Sequence, residues 1–272
     1  MSHFAFCVLG SGSSGNCSLL RVSAGRWIMI DAGFSMRQTK ERMRTHNISL
    51  DQITDLLLTH LDRDHFNPAW CRTLCNRGVR VHVHESHMNR AQSAGLDRSI
   101  LVPFTDGLHI EQLHVETIHM AHDSLGTVGF VFTYGDCNTR VGFATDLGHV
   151  PEVLLQTYTS LDVLAIESNY DPTMQRMSGR PEFLQERIMG GQGHLSNEET
   201  LEAVRRIDNQ STLKHLVLLH LSRQCNAQSI IRTLYQDRLA HLHERITITH
   251  QDRCSRLLTL EKQGSFTPSP LF

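Results

Sequence analysis

Within His60-Leu61-Asp62-Arg63-Asp64-His65, two imidazoles and two carboxylates fall inside six residues. Nitrogen and oxygen donors at this density are what Zn²⁺, Fe²⁺ or Mn²⁺ takes as ligands, and they would make a poor core. A polar loop whose charges merely face water would carry the same letters. The stretch that delivers them decides for a metal: residues 53–59 include Leu56-Leu57-Leu58, which suits a strand buried on both faces. Similar donors stand at the ends of other predicted strands: Asp31, His122, Asp146 and His220. Ligands gathered from several strand ends are held more rigidly than ligands on free loops.

The elements that must position them follow from the patterning. Residues 4–9 read as a first strand, and Gly10-Ser11-Gly12-Ser13-Ser14-Gly15 satisfies the G-x-G-x-x-G expression. A dinucleotide fingerprint needs a helix there, but 17–22 and 26–31 read as a hairpin, so that assignment is rejected. The loop remains open to two readings, a backbone cradle for phosphate or a flexible turn. A helix over 35–46, the strand 53–59, and a helix begun by Asn67-Pro68 and ended by Gly78 come next. Strands are expected at 79–84, 100–104, 108–119, 127–134 and 140–146, with a turn at Gly135-Asp136-Cys137-Asn138. His82, His84 and His87 are expected at the surface or in support of the cluster. A buried strand at 161–167 ends in Glu167-Ser168-Asn169. A helix over 181–189 precedes Gly193-His194-Leu195, and Ser196 with Glu199 fits a capping box for a helix through about Ile207. The strand 213–219 delivers His220, and a helix (227–242) and two strands (246–250, 256–260) close the chain. One domain over 1–264 and a short flexible tail over 265–272 are expected.

Composition narrows the function classes. The 272 residues carry 26 basic and 28 acidic side chains, so no global positive field draws in nucleic acid and any contact must be a local patch. No apolar run suits a membrane span or a signal peptide, and a cytoplasmic protein is expected. The seven cysteines are odd in number and scattered. They read as idle thiols rather than a disulfide framework or a zinc knuckle.

Chain order and spacing together resemble the metallo-β-lactamase fold superfamily: an Asp, then H-x-H-x-D-H, then His, Asp and His at later strand ends. The resemblance is to the YycJ/WalJ-type hydrolases in particular, through Ser11-Gly12-Ser13-Ser14-Gly15-Asn16-Cys17, Ile166-Glu167-Ser168-Asn169, Gly193-His194-Leu195-Ser196-Asn197-Glu198 and His220-Leu221-Ser222. It implies an α/β (α+β) fold, a four-layer αββα sandwich, with two divalent metal ions. His60, Asp62 and His122 would hold one ion, Asp64, His65 and His220 the other, and Asp146 would bridge. Asp31 would fix the motif loop without touching metal, and His119 would support His122. Two residues depart from the pattern. Tyr170 stands where YycJ-type chains usually carry His. Asp62 replaces a His, adding a harder donor and a negative charge, which shifts preference from zinc toward manganese or iron.

The activity implied is hydrolysis of a phosphodiester by a metal-bridging hydroxide, with Asp64 and Asp146 orienting it. His194, before the capped helix, would bind substrate phosphate with Ser196 and Asn197 or protonate the leaving group. DNA, degraded by a 5′→3′ exonuclease, is the expected partner, with Arg63, Arg176, Arg180, Arg187 and Arg223 as candidate contacts. The alternatives are a small-molecule cyclic phosphodiesterase, and a sensor or scaffold that binds metal without cleaving.

Overall fold

The computed structural model describes residues 4–122, 125–135, 138–260 and 266–268. The chain opens with β1 (Ala5–Gly10), β2 (Cys17–Ser23), β3 (Arg26–Ile30), α1 (Met36–Arg44) and β4 (Ile53–Leu57). It continues through α2 (Cys71–Arg77), β5 (Arg80–His84), α3 (Met88–Ser93), β6 (Leu101–Phe104), β7 (Gly107–Ile110), β8 (Leu113–Met120) and β9 (Thr127–Tyr134). Next come β10 (Arg140–Ala144), α4 (Glu152–Thr157), β11 (Val163–Glu167), α5 (Pro172–Arg176), α6 (Glu182–Met189) and α7 (Asn197–Asp208). The last elements are β12 (His215–Leu219), α8 (Gln228–Arg238), α9 (Ala240–His243), β13 (Ile246–Ile248), β14 (Leu258–Leu260) and β15 (Phe266–Pro268).

The strands form two mixed sheets flanked by helices, in the orders β15-β14-β1-β2-β3-β4-β5-β6 and β13-β12-β11-β10-β9-β8-β7. Each sheet contains a parallel block: β3 to β6 in the first, β10 to β13 in the second. Parallel strands need both faces covered, which is why β11 and β12 are buried along their whole length and carry the apolar runs Val163–Ile166 and Leu216–Leu219. In such blocks every strand ends on the same edge, the usual place for chemistry in open parallel sheets.

The residues group into two compact units, 1–115 with 134–137 and 250–272, and 116–133 with 138–249. Each has its own core. In the first, Leu9, Leu19, Met29, Leu56 and Val81 pack with Met43 of α1 and Trp70. In the second, Leu164, Ile166, Leu216 and Leu218 pack with Val204 of α7 and Ile231 and Tyr235 of α8. Ser35 and Gln38 cap α1 reciprocally, and Ser196 and Glu199 do the same for α7, as the sequence pattern predicts. Among the described residues no helix is long and apolar enough to cross a membrane.

Several local expectations change. The stretch 108–119 is two strands, because Glu111 turns the chain with φ 55°. The helix expected over 227–242 breaks at Leu239, whose φ −143° and ψ 56° are not helical. His82 and His87 are buried, not at the surface. His82 Nε2 lies 2.7 Å from Asp55 Oδ1, and Arg80 lies 2.8 Å from the same buried carboxylate. Burial drives the Asp55 carboxyl up, but His82 and Arg80 outweigh it and hold it below the ordinary range. Cys7, Cys17 and Cys225 are buried free thiols. Residues 266–268, inside the stretch expected to be flexible, pair with β14. The rest of that tail, Asp136 and Cys137 of the expected turn, and Asp123 after His122 lie outside the described residues.

One long excursion breaks the pattern of short connections. Backbone pairing between Tyr170 and Ser196 closes residues 171–195, which carry α5 and α6. No residue of α6 is buried, and Met177 and Phe183 are largely exposed.

A buried titratable group at the head of β12 has a pH consequence. Burial lowers His215 to about 4. Its folded pKa is thus below the ordinary imidazole value, so the unfolded chain binds more protons between the two. Stability from the neutral ring is present above about pH 6.5 and lost as pH falls toward 4, at most on the order of 3 kcal/mol. His215→Gln should therefore flatten the acid limb of stability from pH 6.5 to 4 in urea titrations. An unchanged slope would contradict this.

Candidate metal centre

Three donors expected at strand ends share a backbone feature. Asp31 follows β3, Asp146 lies two residues beyond β10, and His220 follows β12; their φ angles are 59°, 54° and 56°. Non-glycine residues seldom adopt this left-handed conformation, and where they do the surrounding structure must hold them there. At each of these edges the chain turns sharply, yet it keeps a chemically capable side chain where glycine would be easier.

In the first unit, Asp31 organises the motif loop. Its carboxylate accepts from the Thr59 N–H at 2.9 Å and from the Thr59 hydroxyl, and lies 2.7 Å from His65 Nδ1. Burial pushes the Asp31 carboxyl up, against the opposing pull of His65 and Thr59. This network assigns the proton of His65 to Nδ1 and leaves a lone pair on Nε2. Consistent with that, the Asn16 amide donates to His65 Nε2 at 2.9 Å. His60 Nδ1 lies 3.0 Å from the Thr59 hydroxyl, and the two imidazole rings lie 4.0 Å apart, centroid to centroid.

The glycine- and serine-rich loop is not a loose turn: Gly12 N–H donates to Asn16 Oδ1, Gly15 N–H to Gly12 O, Asn16 N–H to Asp64 O and Ser11 N–H to His250 O. The loop instead clamps the metal motif through Asn16. Gly33 completes the clamp, since a Cβ there would sit 1.8 Å from the Asp64 carbonyl oxygen.

Ligand atoms around a cation bonded at about 2.0–2.2 Å lie about 3.3–3.6 Å apart in a tetrahedral set, and somewhat farther at wider angles. His65 Nε2 and Asp64 Oδ2 are 3.7 Å apart, and His60 Nε2 and Asp62 Oδ2 are 3.9 Å apart. Both pairs fit a shared divalent cation. Asp62 has a further partner that the sequence pattern did not suggest: its Oδ1 lies 2.5 Å from Arg90 Nη2 on α3.

In the second unit the organising group is Glu167, the last residue of β11 and wholly buried. Its Oε1 lies 2.7 Å from His194 Nδ1 and 3.3 Å from His220 Nδ1, while Oε2 accepts from the Leu147 N–H at 2.7 Å. Burial pushes the Glu167 carboxyl up, but the charge and hydrogen bonds of His194 and the His220 contact hold it below the ordinary range. Asp146 Oδ1 lies 3.4 Å from the Nδ1 atoms of both His194 and His220. A separation of 2.7 Å is a hydrogen bond, too short for two ligands spanning a metal. Glu167 therefore braces His194 through Nδ1, whereas His220 Nδ1 stands 3.3 Å from Glu167 Oε1 and 3.4 Å from Asp146 Oδ1, the spacing of groups that could share a cation. The ring of His122 lies 5.9 Å from that of His194.

Other expected residues are placed as follows. Asn197 is buried, with Ser168 donating to its Oδ1 and its Nδ2 donating to Asn226. Ser196 caps α7 and bonds Glu199. These groups hold the loop that carries His194, and no atom of Asn197 remains to meet a phosphate. His119 donates to Leu125 O at 2.8 Å. Arg63, Arg176, Arg187 and Arg223 are exposed, whereas Arg180 is half-buried and bonded to Gln175 and Gln224. Tyr170 is buried and contributes backbone pairing to Ser196.

Asn16, Thr59, Arg90 and Glu167 were not foreseen as parts of the centre. Glu167 had a usable signal, because it closes a buried strand on a carboxylate as Asp31 and Asp146 do. Glu167→Ala should destabilise the fold by about 2–4 kcal/mol in urea titrations, because the Leu147 N–H and two imidazoles lose a buried charged partner. A loss below 1 kcal/mol would refute the bracing role.

Comparison with known proteins identifies the family and the fold. The profile of the Beta-lactamase superfamily domain matches residues 26–221. The chain is 25% identical over 232 residues to the exodeoxyribonuclease YycJ of Bacillus anthracis, covering 84% of this chain and 86% of that protein. It is 26% identical over 245 residues to the exodeoxyribonuclease WalJ of Streptococcus pneumoniae, covering 87% and 88%. Among solved structures, the metallo-β-lactamase fold protein YhfI of Bacillus subtilis superposes with a TM-score of 0.70 at 13% identity, covering 93% of this chain and 99% of that one.

Proposed function

The chain belongs to the β-lactamase superfamily, and from that premise we propose that it is a metal-dependent phosphodiesterase that degrades DNA from a 5′ end. The metal ligands in this reading are His60, Asp62, Asp64, His65, His122, Asp146 and His220. The observation that carries it is the His65 network, in which Asp31 accepts a hydrogen bond from Nδ1 and Nε2 lies 3.7 Å from an Asp64 oxygen. A ring locked in that tautomer is prepared to give a lone pair to a cation. The two relatives bearing the name exodeoxyribonuclease, each aligned over more than four-fifths of its length, support DNA as the substrate class.

Divalent cations held by these donors supply a water acidified toward neutral pH and positive charge for the phosphate oxygens. The chain's own groups do the rest. Asp64, beside His65, is the carboxylate that would accept a hydrogen bond from the attacking water in this reading, and Asp146 is the carboxylate beside His194 and His220. Glu167 accepts from His194 Nδ1, which leaves Nε2 to face the substrate. In its charged form, with a proton on both nitrogens, His194 would donate from Nε2 to a phosphate oxygen or give that proton to the departing 3′ oxygen. The second role contributes about 10²–10⁴ in rate. The exposed Arg63, Arg176, Arg187 and Arg223 are the candidate backbone contacts, and each phosphate neutralised would add to the salt dependence of binding.

The test is degradation of 5′-phosphorylated DNA with added Mn²⁺ or Zn²⁺, alongside RNA and cyclic nucleotides at equal concentration. Asp64→Ala and His65→Ala should abolish turnover while circular dichroism shows a folded chain. Full activity in either variant would remove the assigned centre. His194→Gln should lower kcat about 10²–10⁴-fold and change DNA affinity little. Preference for cyclic nucleotides over DNA would move the substrate assignment and leave the metal assignment standing.

A further inference from the structure

One surface of the first unit departs from the even balance of charge along the chain. Helix α1 carries Arg37, Lys40, Arg42 and Arg44 against a single acid, Glu41. Arg42 is engaged by the protein, donating to Leu9 O at 2.9 Å and lying over the Phe34 ring at 3.9 Å. Arg37, Lys40 and Arg44 are exposed, and their spacing along the helix sets them on one face. Together with Met36 and Glu41 they line a hollow of about 540 Å³. Thr39 and Met43 bury a different face of the same helix.

Two features set this face apart from an ordinary solvated one. The helix dipole disfavours a cation in the first turn, yet α1 has Arg37 there and no acidic residue to offset it. Glu41 lies one turn from both Arg37 and Arg44. Even so, among the described residues none of these three cations has an ion pair or hydrogen bond to its charged group. The start of α1 is also tied to the metal motif. Ala32 pairs with Phe66, Trp70 Nε1 donates to Phe34 O at 2.9 Å, and Gly33 lies against the Asp64 backbone. Arg37 follows Gly33 by four residues, a reach of at most about 14 Å.

We propose that the face of α1 bearing Arg37, Lys40 and Arg44 binds the phosphate backbone of DNA, beside the motif loop from which the helix springs. From Arg37 to Arg44 the helix rises about 10 Å. That length matches about three phosphates of one strand at 3.4 Å per charge. An anionic membrane fits this face less well, because none of the exposed side chains of α1 is apolar and could insert. The proposal rests on the DNA reading given above and adds where the strand lies. It concerns only residues of the first unit.

The experiment is fluorescence anisotropy of a labelled, 5′-phosphorylated strand of about 20 nucleotides with the full chain, between about 50 and 200 mM salt. A chelator is present throughout, so that metal-dependent cleavage does not interfere. Arg37→Gln combined with Lys40→Gln and Arg44→Gln should weaken binding at least about tenfold at the lower salt. The slope of log K against log salt should become shallower by about 2, the loss of three contacts to a single strand. Circular dichroism and thermal unfolding check that the variant is folded. Arg72→Gln combined with Arg232→Gln and Arg238→Gln removes the same charge from exposed positions elsewhere. That control should stay within about twofold of the natural chain.

Equal weakening in the control would show a diffuse field and overturn the proposal. Unchanged DNA binding in the α1 variant would overturn it too, and loss of its binding to phosphatidylglycerol vesicles would then assign the face to a lipid surface. A natural chain that binds no DNA would overturn both the proposal and the DNA reading. A natural chain that binds DNA but leaves bis-(p-nitrophenyl) phosphate intact with added Mn²⁺ would remove the hydrolytic reading and leave the α1 face standing. Should the triple variant fail to fold, Arg37→Gln and Arg44→Gln taken singly should each make the salt slope shallower by about 0.7. No change in either would overturn the proposal.

Discussion

The carboxyl edges of two parallel blocks constrain everything else in this molecule. At Asp31, Asp146 and His220 the backbone leaves a strand in a left-handed conformation that costs roughly 1 kcal/mol or more per residue. Such a cost persists only where the side chains are fixed from several sides at once. Asp31 is fixed by Thr59 and His65, and His220 by Glu167 and Asn169. The strained turns and the hydrogen-bond networks sustain each other: without the turns the donors would point along the strands, and without the networks the turns would relax.

A common electrostatic logic runs through both units. Each uses a buried carboxylate beside an imidazole Nδ1 at 2.7 Å; burial wins at Asp31, whose carboxyl is raised, and the imidazoles win at Glu167, whose carboxyl is lowered. Asp31 is engaged wholly by Thr59 and His65, while Glu167 also stands within ligand spacing of His220. Each decides which nitrogen of a neighbouring ring is left with a lone pair. Orientation of this kind is worth as much as the ligands themselves, because an imidazole in the other tautomer presents a proton where an electron pair is needed.

Much of this was legible from residue order. Apolar runs ending in Asp31, Asp146 and His220 marked strand ends, and the capping pairs at Ser35 and Ser196 marked helix starts. What stayed hidden depended on contacts across long separations. Arg90 lies 28 residues from Asp62, and no local pattern ties an arginine on a short helix to a carboxylate in a loop. The Gly12–Asn16 loop stayed ambiguous because glycine and serine richness is equally compatible with binding an anion and with letting backbones come close. Only the Asn16–Asp64 and Gly33–Asp64 proximities show the second. His82 was misplaced because its partner, Asp55, is one strand over and interrupts an apolar run that otherwise reads as core.

The excursion between Tyr170 and Ser196 sets the scaffold's tolerance for change. Its ends are tied by backbone pairing, and its middle helix buries nothing. The entropy of closing a loop grows only slowly with its length. Changes confined to the α6 part of the excursion would leave the sheets and the strained turns undisturbed, whereas its last residues carry His194 and are held to Glu167. Selectivity can therefore be altered by editing that outer helix while His194 and its carboxylate partner are kept.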